Sequence, residues 1–403
     1  MRLVEKALLY PCPPHATTAY EYSYYTTPKG LEKIRLRFLD ISDDIFDHGS
    51  LSFSEDNGRT WADSRPLIVS RKTAEGTIRR FDGLGFVDPV EGRLVCFYLE
   101  GLFRRDVSLE GMTQYYLNYR VSSDGGRTWL VDEQVIQQGY TPEHPCEHVW
   151  VGRNCMSMPL IPPLVRTRQG HLVACIQISV LGPDGKYRNP GGGFTWMEEL
   201  ILIGRWQDDR SGRIQWSCGP RLSLPPDRST RGLDECTLAE MPNGTLLLIM
   251  RASNGGSKDP EYRIPSYKWF SVSIDGGFTW SEPQPWGFSD GGTFFSPASM
   301  SQLLGHSNGR YYWLGNICNA NAKGNSPRYP LVIGEVDTES LRLVRDSLFI
   351  IDTRQPDEPE GIQFSSFAAH EERVGGAILL YVPKIIPHDG TWMGDSYLYR
   401  LAV

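Results

Sequence analysis

Residues 122–129 read SSDGGRTW, and nearly the same octet stands at 54–61 (SEDNGRTW) and at 273–280 (SIDGGFTW). Ser, Asp, Gly, Thr and Trp keep one order in all three. An Asp side chain accepts hydrogen bonds from the N–H groups of its own loop, and Gly supplies positive φ. Thr then leads into a strand, and the Trp ring covers the turn. Such an octet staples a hairpin and has no need to touch a substrate. The first two begin at residues 54 and 122, an interval of about 68, and the third begins close to two such intervals further on. A degenerate copy is therefore expected between them. Residues 205–216 (RWQDDRSGRIQW) keep Asp, Gly and Trp in sequence, and 333–343 (IGEVDTESLRL) give a weaker echo.

Between the octets lie short apolar runs that follow Gly-containing turns: GRLVCFYLEG (92–101), GHLVACIQISV (170–180), GTLLLIMRAS (244–253) and GAILLYVPK (376–384). These read as strands. Sustained helical periodicity is scarce, and 41 Gly and 28 Pro spread along the chain favour turns. The fold class is all-β. A unit of about 68 residues holds about four strands, the size of one propeller blade, so the chain is expected to form a single six-bladed β-propeller over residues 1–403.

The chain has 403 residues, 40% hydrophobic and 22% charged, with a net charge of −7. That balance suits a soluble globular protein, and the absence of a basic block argues against nucleic acid as the main partner. The N-terminal MRLVEKALLYPCPP is too short an apolar run for a signal peptide or a span, so no membrane partner is expected. As written the protein is expected to be cytoplasmic, or secreted or periplasmic if a leader was removed. Eight cysteines are too few for a disulfide scaffold. Cys96 and Cys175, inside apolar runs, read as buried free thiols. The sequence does not fix the oligomeric state.

The pattern S-x-D-x-G-x-T-W resembles the Asp-box, or BNR repeat, of sialidases (neuraminidases) and related six-bladed propellers. The resemblance implies a carbohydrate substrate; no cofactor and no metal site are expected, and an ion in the channel is left unmarked by the sequence. The resemblance also implies three arginines for a sugar carboxylate, a Tyr–Glu nucleophile pair and an Asp acid/base. The segment 233–255 resembles the one that carries the Glu and the second arginine, which makes Glu235 and Arg251 candidates. Residues 324–337 resemble the segment with the third arginine, which makes Arg328 one. The nucleophile segment is altered: Phe364 stands where Tyr is implied and has no hydroxyl. The first arginine is not evident; Tyr20, Tyr22, Tyr24 and Tyr25 occupy that region, and the Arg79–Arg80 pair has the wrong spacing. For the acid/base the candidates are Asp43, Asp44 and Asp47, with Asp44 or Asp47 favoured.

One cluster has no counterpart in that pattern: Glu143-His144-Pro145-Cys146-Glu147-His148, with Trp150, Arg153 and Cys155 beyond. His-x-Cys-x-His offers alternate metal ligands but lacks the paired spacing of common zinc sites. His148 is instead a candidate general acid or base, with Trp150 and Arg153 as sugar and anion contacts, and His370 is a further candidate. The function expected is hydrolysis of a terminal acidic glycoside by direct water attack. The rivals are a polysaccharide lyase acting on uronic-acid glycans and a glycan-binding propeller without catalysis.

Overall fold

The apolar runs become strands buried on both faces. In Leu246–Arg251, Leu246, Leu248 and Met250 join one hydrophobic cluster, with Val173 and Trp269. Leu247 and Ile249 join another, with Trp286 and Trp313. Leu172–Ser179 divides its side chains between two clusters in the same way. Successive residues of a strand face opposite sides, so a sheet packed between two neighbours needs an unbroken apolar run. The computed structural model describes residues 1–42, 45–67, 69–207, 211–388 and 391–403.

The described residues form five sheets. The largest places Thr18–Tyr25, Lys33–Ser42, Ile45–Ser54 and Ala62–Leu67 beside a second group built on Ile378–His388 and Thr391–Ala402. The two groups join through a single parallel pair, Thr18 with Gly394. The N-terminal strand Arg2–Tyr10 runs antiparallel along Thr391–Ala402, which ties the two chain ends together. Two of the expected four-strand units are thus fused into one sheet, and five sheets stand where six separate ones were expected.

The other sheets are antiparallel and follow in chain order. The second is built on Gly76–Val87, Leu94–Phe103 and Tyr116–Ser122. The third is built on Leu172–Ser179, Met197–Trp206 and Ile214–Leu222, and the fourth on Asp234–Glu240, Leu246–Arg251 and Trp269–Ser273. The fifth is built on Gln302–Gly305, Tyr311–Asn316 and Leu331–Asp337. Each packs on the next: Thr18–Tyr25 on Gly76–Val87, Tyr116–Ser122 on Met156–Ser157, and Leu172–Ser179 on Asp234–Glu240. Asp234–Glu240 then meets Gln302–Gly305, which meets Ala368–Glu371 of the largest sheet. Among the described residues helix is confined to single short turns such as Gly111–Gln114, and no helix is long and apolar enough to cross a membrane. All eight cysteines are free thiols, and Cys96 and Cys175 are buried.

The three octets make one hydrogen-bond pattern. Ser122 Oγ donates to Asp124 Oδ1 (2.7 Å) and accepts from Gly126 N (2.8 Å). Asp124 accepts from Thr128 N (2.9 Å) and Thr128 Oγ1 (2.6 Å). Ser54, Asp56, Gly58 and Thr60 repeat these bonds, as do Ser273, Asp275, Gly277 and Thr279. Gly58, Gly126 and Gly277 have φ of 84°, 85° and 99°, which a side chain would strain. The tryptophans are half-buried rather than fully covered, because Trp61 and Trp129 stack under the guanidinium groups of Arg35 and Arg120 (4.6 Å each). Every octet follows the third strand of its group. The degenerate copy, whose residues 208–210 lie outside the described ones, links Met197–Trp206 to Ile214–Leu222. The echo, capped by Asp337, links Leu331–Asp337 to Arg342–Leu343.

Burial raises the Asp124 pKa, but the bonds from Thr128, Ser122 and Arg127 outweigh it and hold the carboxyl at about 2. A folded-state pKa below the unfolded one gives stability that is present above about pH 4 and lost as pH falls through about 2. Asp124→Ala is expected to lower the thermal midpoint by a few degrees at neutral pH, with the gap to wild type closing between about pH 4 and pH 2. Calorimetry over that range checks it, and a gap that stays constant removes the carboxylate from the account.

Candidate functional site

In an antiparallel meander, the turn after the third strand lies at one end of the sheet. The loop between second and third strands and the entry to the first lie at the other. Glu235 enters the first strand of its sheet and Arg251 ends the second, so both stand opposite the octets. At that end a cavity of about 380 Å³ is lined by Tyr20, Asp40, Arg231, Glu235, Arg251 and Arg328, among others. A second cavity of about 290 Å³ shares Tyr20, Asp40, Glu235, Met300 and Ser366 with it and extends to Arg79, Tyr115, Ser157 and Gln177. All five sheets contribute to this combined basin.

Strand register explains the arrangement around Glu235. The pairing slips between Asp234 and Thr237, and Glu235 has φ of 41°, rare for a residue with a side chain. Consecutive residues of a regular strand face opposite ways; the bulge lets two in a row reach one partner. Arg251 Nε lies 3.3 Å from Asp234 Oδ1, and an Arg251 terminal nitrogen donates to Glu235 Oε2. Arg251 also reaches Asn325 Oδ1 at 3.5 Å. Burial raises the Glu235 pKa, but the Arg251 charge and hydrogen bond, with Arg328 and Arg231 behind them, outweigh it and hold it below the usual carboxylate value. Glu235 is ionised at neutral pH.

Arg328 donates to Gln363 Oε1 (2.7 Å), Ser365 Oγ (3.3 Å) and Ala298 O (2.9 Å). Arg231 donates to Thr195 Oγ1 (2.7 and 3.0 Å) and lies 3.4 Å from Asp234. Beneath them Lys268 is fully buried and donates to Ser299 O, and burial followed by the Arg251 charge lowers its pKa to about 7. On the facing wall the Tyr20 hydroxyl donates to Asp40 Oδ2 at 2.9 Å. Tyr20 and Asp40 are diagonal neighbours on one face of an antiparallel pair, since Thr18 lies opposite Asp40 and Tyr20 opposite Phe38.

Of the residues singled out from sequence, Glu235, Arg251 and Arg328 meet in the cavity. Asp43 and Asp44 lie outside the described residues. Asp47 does not line the basin: it accepts from Ile41 N (2.8 Å) and Arg79 (3.2 Å), and so serves to hold that arginine, which also pairs with Asp106. His370 is elsewhere, with Nε2 3.0 Å from Lys33 Nζ and its ring stacked on Tyr381. Burial and then the Lys33 charge drive its pKa well below the usual imidazole value, so it stays neutral.

His148, Trp150 and Arg153 do come together, but around a separate pocket of about 300 Å³ with Arg221. Trp150 stacks on His144 there, with centroids 4.5 Å apart. Cys146 is buried against the Met156 sulfur (3.9 Å) and forms no metal-ligand group with the flanking histidines among the described residues. Phe364 is fully buried in a hydrophobic cluster, and Ser365 and Ser366 face the cavity instead. The cavity also holds Tyr20, Asp40 and Arg231, which were not singled out from sequence. The signals were an alternating Tyr20-x-Tyr22-x-Tyr24 run, an acid closing the apolar run LRFLD, and an arginine four residues before Glu235.

No family model matches the chain, and no curated protein matches it. Solved structures do. A protein of unknown function from Dyadobacter fermentans DSM 18053 superposes with a TM-score of 0.62 at 12% identity, over 100% of this chain and 99% of that one. The K499G mutant of the NanB sialidase from Streptococcus pneumoniae gives 0.61 at 11%, over 100% and 71%. The intramolecular trans-sialidase from Ruminococcus gnavus gives 0.61 at 12%, over 100% and 98%. The fold is sialidase-like. At these identities the likeness concerns the path of the chain. The basin of this chain holds the Tyr20–Asp40 pair and the cluster of Arg231 and Arg251 with Asp234 and Glu235.

Proposed function

We propose that the protein is a glycan-active enzyme that hydrolyses a terminal acidic sugar, built as a six-bladed propeller whose stapling octets are Asp-boxes. The two strand groups of the largest sheet count as two blades, and the cyclic order of sheet contacts supports that count. The observation that carries the functional reading is the convergence of Arg231, Arg251 and Arg328 with Glu235 and the Tyr20–Asp40 pair in one cavity. Guanidinium groups converging on one cavity suit a carboxylate, which accepts two parallel hydrogen bonds from one of them and single bonds from the others.

Tyr20 and Asp40 form the reacting pair. A phenol hydrogen-bonded to a carboxylate becomes a nucleophile when the carboxylate takes its proton, and Tyr nucleophiles are an established alternative to the two-carboxylate scheme of glycosidases. This replaces the direct water attack that Phe364 suggested, because a hydroxyl is available from another strand. Ionised Glu235 stabilises positive charge at the anomeric carbon as the glycosidic bond breaks. Asp40 takes the acid/base place expected of Asp44 or Asp47: the proton it takes from Tyr20 passes to the departing glycosidic oxygen, and it then takes a proton from the water that cleaves the sugar–Tyr20 bond and returns Tyr20 to its free hydroxyl.

Turnover of a panel of aryl glycosides tests the reading. Release of the aryl group from acidic sugars (nonulosonic or uronic), with neutral hexosides inert, is the expected result. Cleavage of neutral sugars alone removes the arginine argument. A product absorbing in the near ultraviolet from a new double bond assigns the site to elimination instead. Binding of acidic glycans with no turnover makes the protein a lectin.

A further inference from the structure

A second group of reactive side chains lies beneath the basin and has no part in the reaction above. Cys175 and Glu199 stand on adjacent strands of the third sheet, and Cys236 stands on the first strand of the fourth, next to Glu235. Cys175 and Glu199 have no exposed surface and Cys236 has 3%. The Cys175 thiol lies 3.1 Å from Glu199 Oε2 and the Cys236 thiol 3.4 Å from the same oxygen. Among the described residues this is the only grouping of three or more Cys, His, Asp or Glu side chains with ligand atoms this close, all within 4.8 Å of one another.

Its setting makes it anomalous. Val173, Ile201, Leu248 and Met250 belong to the surrounding apolar cluster. Glu199 Oε1 is buried without a hydrogen-bond partner. The charges that bear on Glu199 come from Asp234 and Glu235, both negative. A carboxylate buried among hydrocarbon, thiols and further carboxylates is strongly unfavourable unless a cation meets it. Among the described residues no cationic side chain pairs with it; both thiols donate to Glu199 Oε2, and two thiols gathered on one carboxylate oxygen are a donor set that soft-to-borderline metals take once deprotonated.

We propose that Cys175, Glu199 and Cys236 bind a divalent transition-metal ion of zinc type that ties the third sheet to the fourth under Glu235. Binding forms two metal–thiolate bonds and one metal–carboxylate bond, and the displaced protons pass to solvent. Three protein ligands leave a fourth position for water, and Gln177, opposite Glu199 in the strand register, lines the basin above.

The test uses the full chain expressed in medium supplemented with zinc or with cobalt. The expected result is a single tightly held ion per chain by elemental mass spectrometry. The cobalt form should show a thiolate-to-cobalt charge-transfer band in the near ultraviolet. Cys175→Ser and Cys236→Ser should each lose most of that band, and Cys146→Ser, away from the cluster, should keep it. If the cluster variants do not fold, the metal content and band of the wild-type chain decide alone. A wild-type chain with neither ion nor band, a band that survives both cluster substitutions, or a Cys175–Cys236 disulfide found in the non-reduced protein overturns the proposal.

Discussion

Tyr20→Phe is expected to fold like wild type and to lose roughly 10⁶-fold in kcat, the scale of removing a covalent nucleophile. The ring stays packed in its buried cluster with Tyr22 and Phe38, so the loss is confined to the hydroxyl and its bond to Asp40. That bond, a neutral donor to a buried carboxylate, contributes about 1.5–3 kcal/mol, so a modest fall in stability accompanies the kinetic one. Two measurements separate chemistry from packing. Peptide mapping after reaction with a slow fluorinated glycoside should find a glycosyl adduct on Tyr20 in wild type and none in the variant. KM for the acidic substrate should change little, because the arginines are untouched. A variant that retains wild-type kcat excludes Tyr20 as nucleophile and returns the reaction to direct water attack.

Arg251→Ala is expected to have the largest effect on stability, about 2–3 kcal/mol, because buried Asp234 keeps only Arg231 at 3.4 Å and Glu235 loses its direct partner. Asp234 and Glu235 both face it across the bulge; Asp234 is buried, while Glu235 keeps 33% of its side chain open to the cavity and can be hydrated there. The loss arises from stranded negative charge, so adding Glu235→Gln should restore part of it, and thermal or denaturant unfolding of the two variants measures the difference. Arg251→Lys keeps the charge but not the fork. It should retain most of the stability while weakening an acidic substrate roughly 10–100-fold in kcat/KM, the equivalent of one lost charge-assisted hydrogen bond. Equal losses for acidic and neutral substrates would mean that Arg251 acts on the fold alone.

The parts of this protein written in short windows were legible. The octets specify their own turns, because Ser, Asp, Gly and Thr satisfy one another within eight residues and need nothing from the rest of the chain. The strands at 92–101, 170–180, 244–253 and 376–384 were legible for a related reason: burial on both faces demands unbroken apolar runs, and each appears as Leu94–Phe103, Leu172–Ser179, Leu246–Arg251 and Ile378–His388. Glu235, Arg251 and Arg328 were found through resemblance to a family segment rather than through any property visible at one position. His370 and Asp47, also singled out from sequence, lie with other partners instead of in the cavity. A histidine or aspartate attracts attention by its chemistry, but Lys33 and Arg79 already engage these two, and that is invisible in the linear order.

The amino-acid order by itself determined the all-β class, the turn chemistry and the spacing of the repeated units, since those rest on hydrogen bonds and burial patterns local to a few residues. Tertiary structure alone decided which side chains share the basin. Tyr20 meets Asp40 only through the register of two strands. Arg231, Arg251 and Arg328 meet only where their sheets pack side by side. Asp234 and Glu235 reach the same arginine only because a bulge breaks the alternation of a strand. Electrostatic and hydrogen-bond energies fall off over a few ångströms, so the partner that sets the role of a charged group is its neighbour in space, and strand pairing chooses that neighbour.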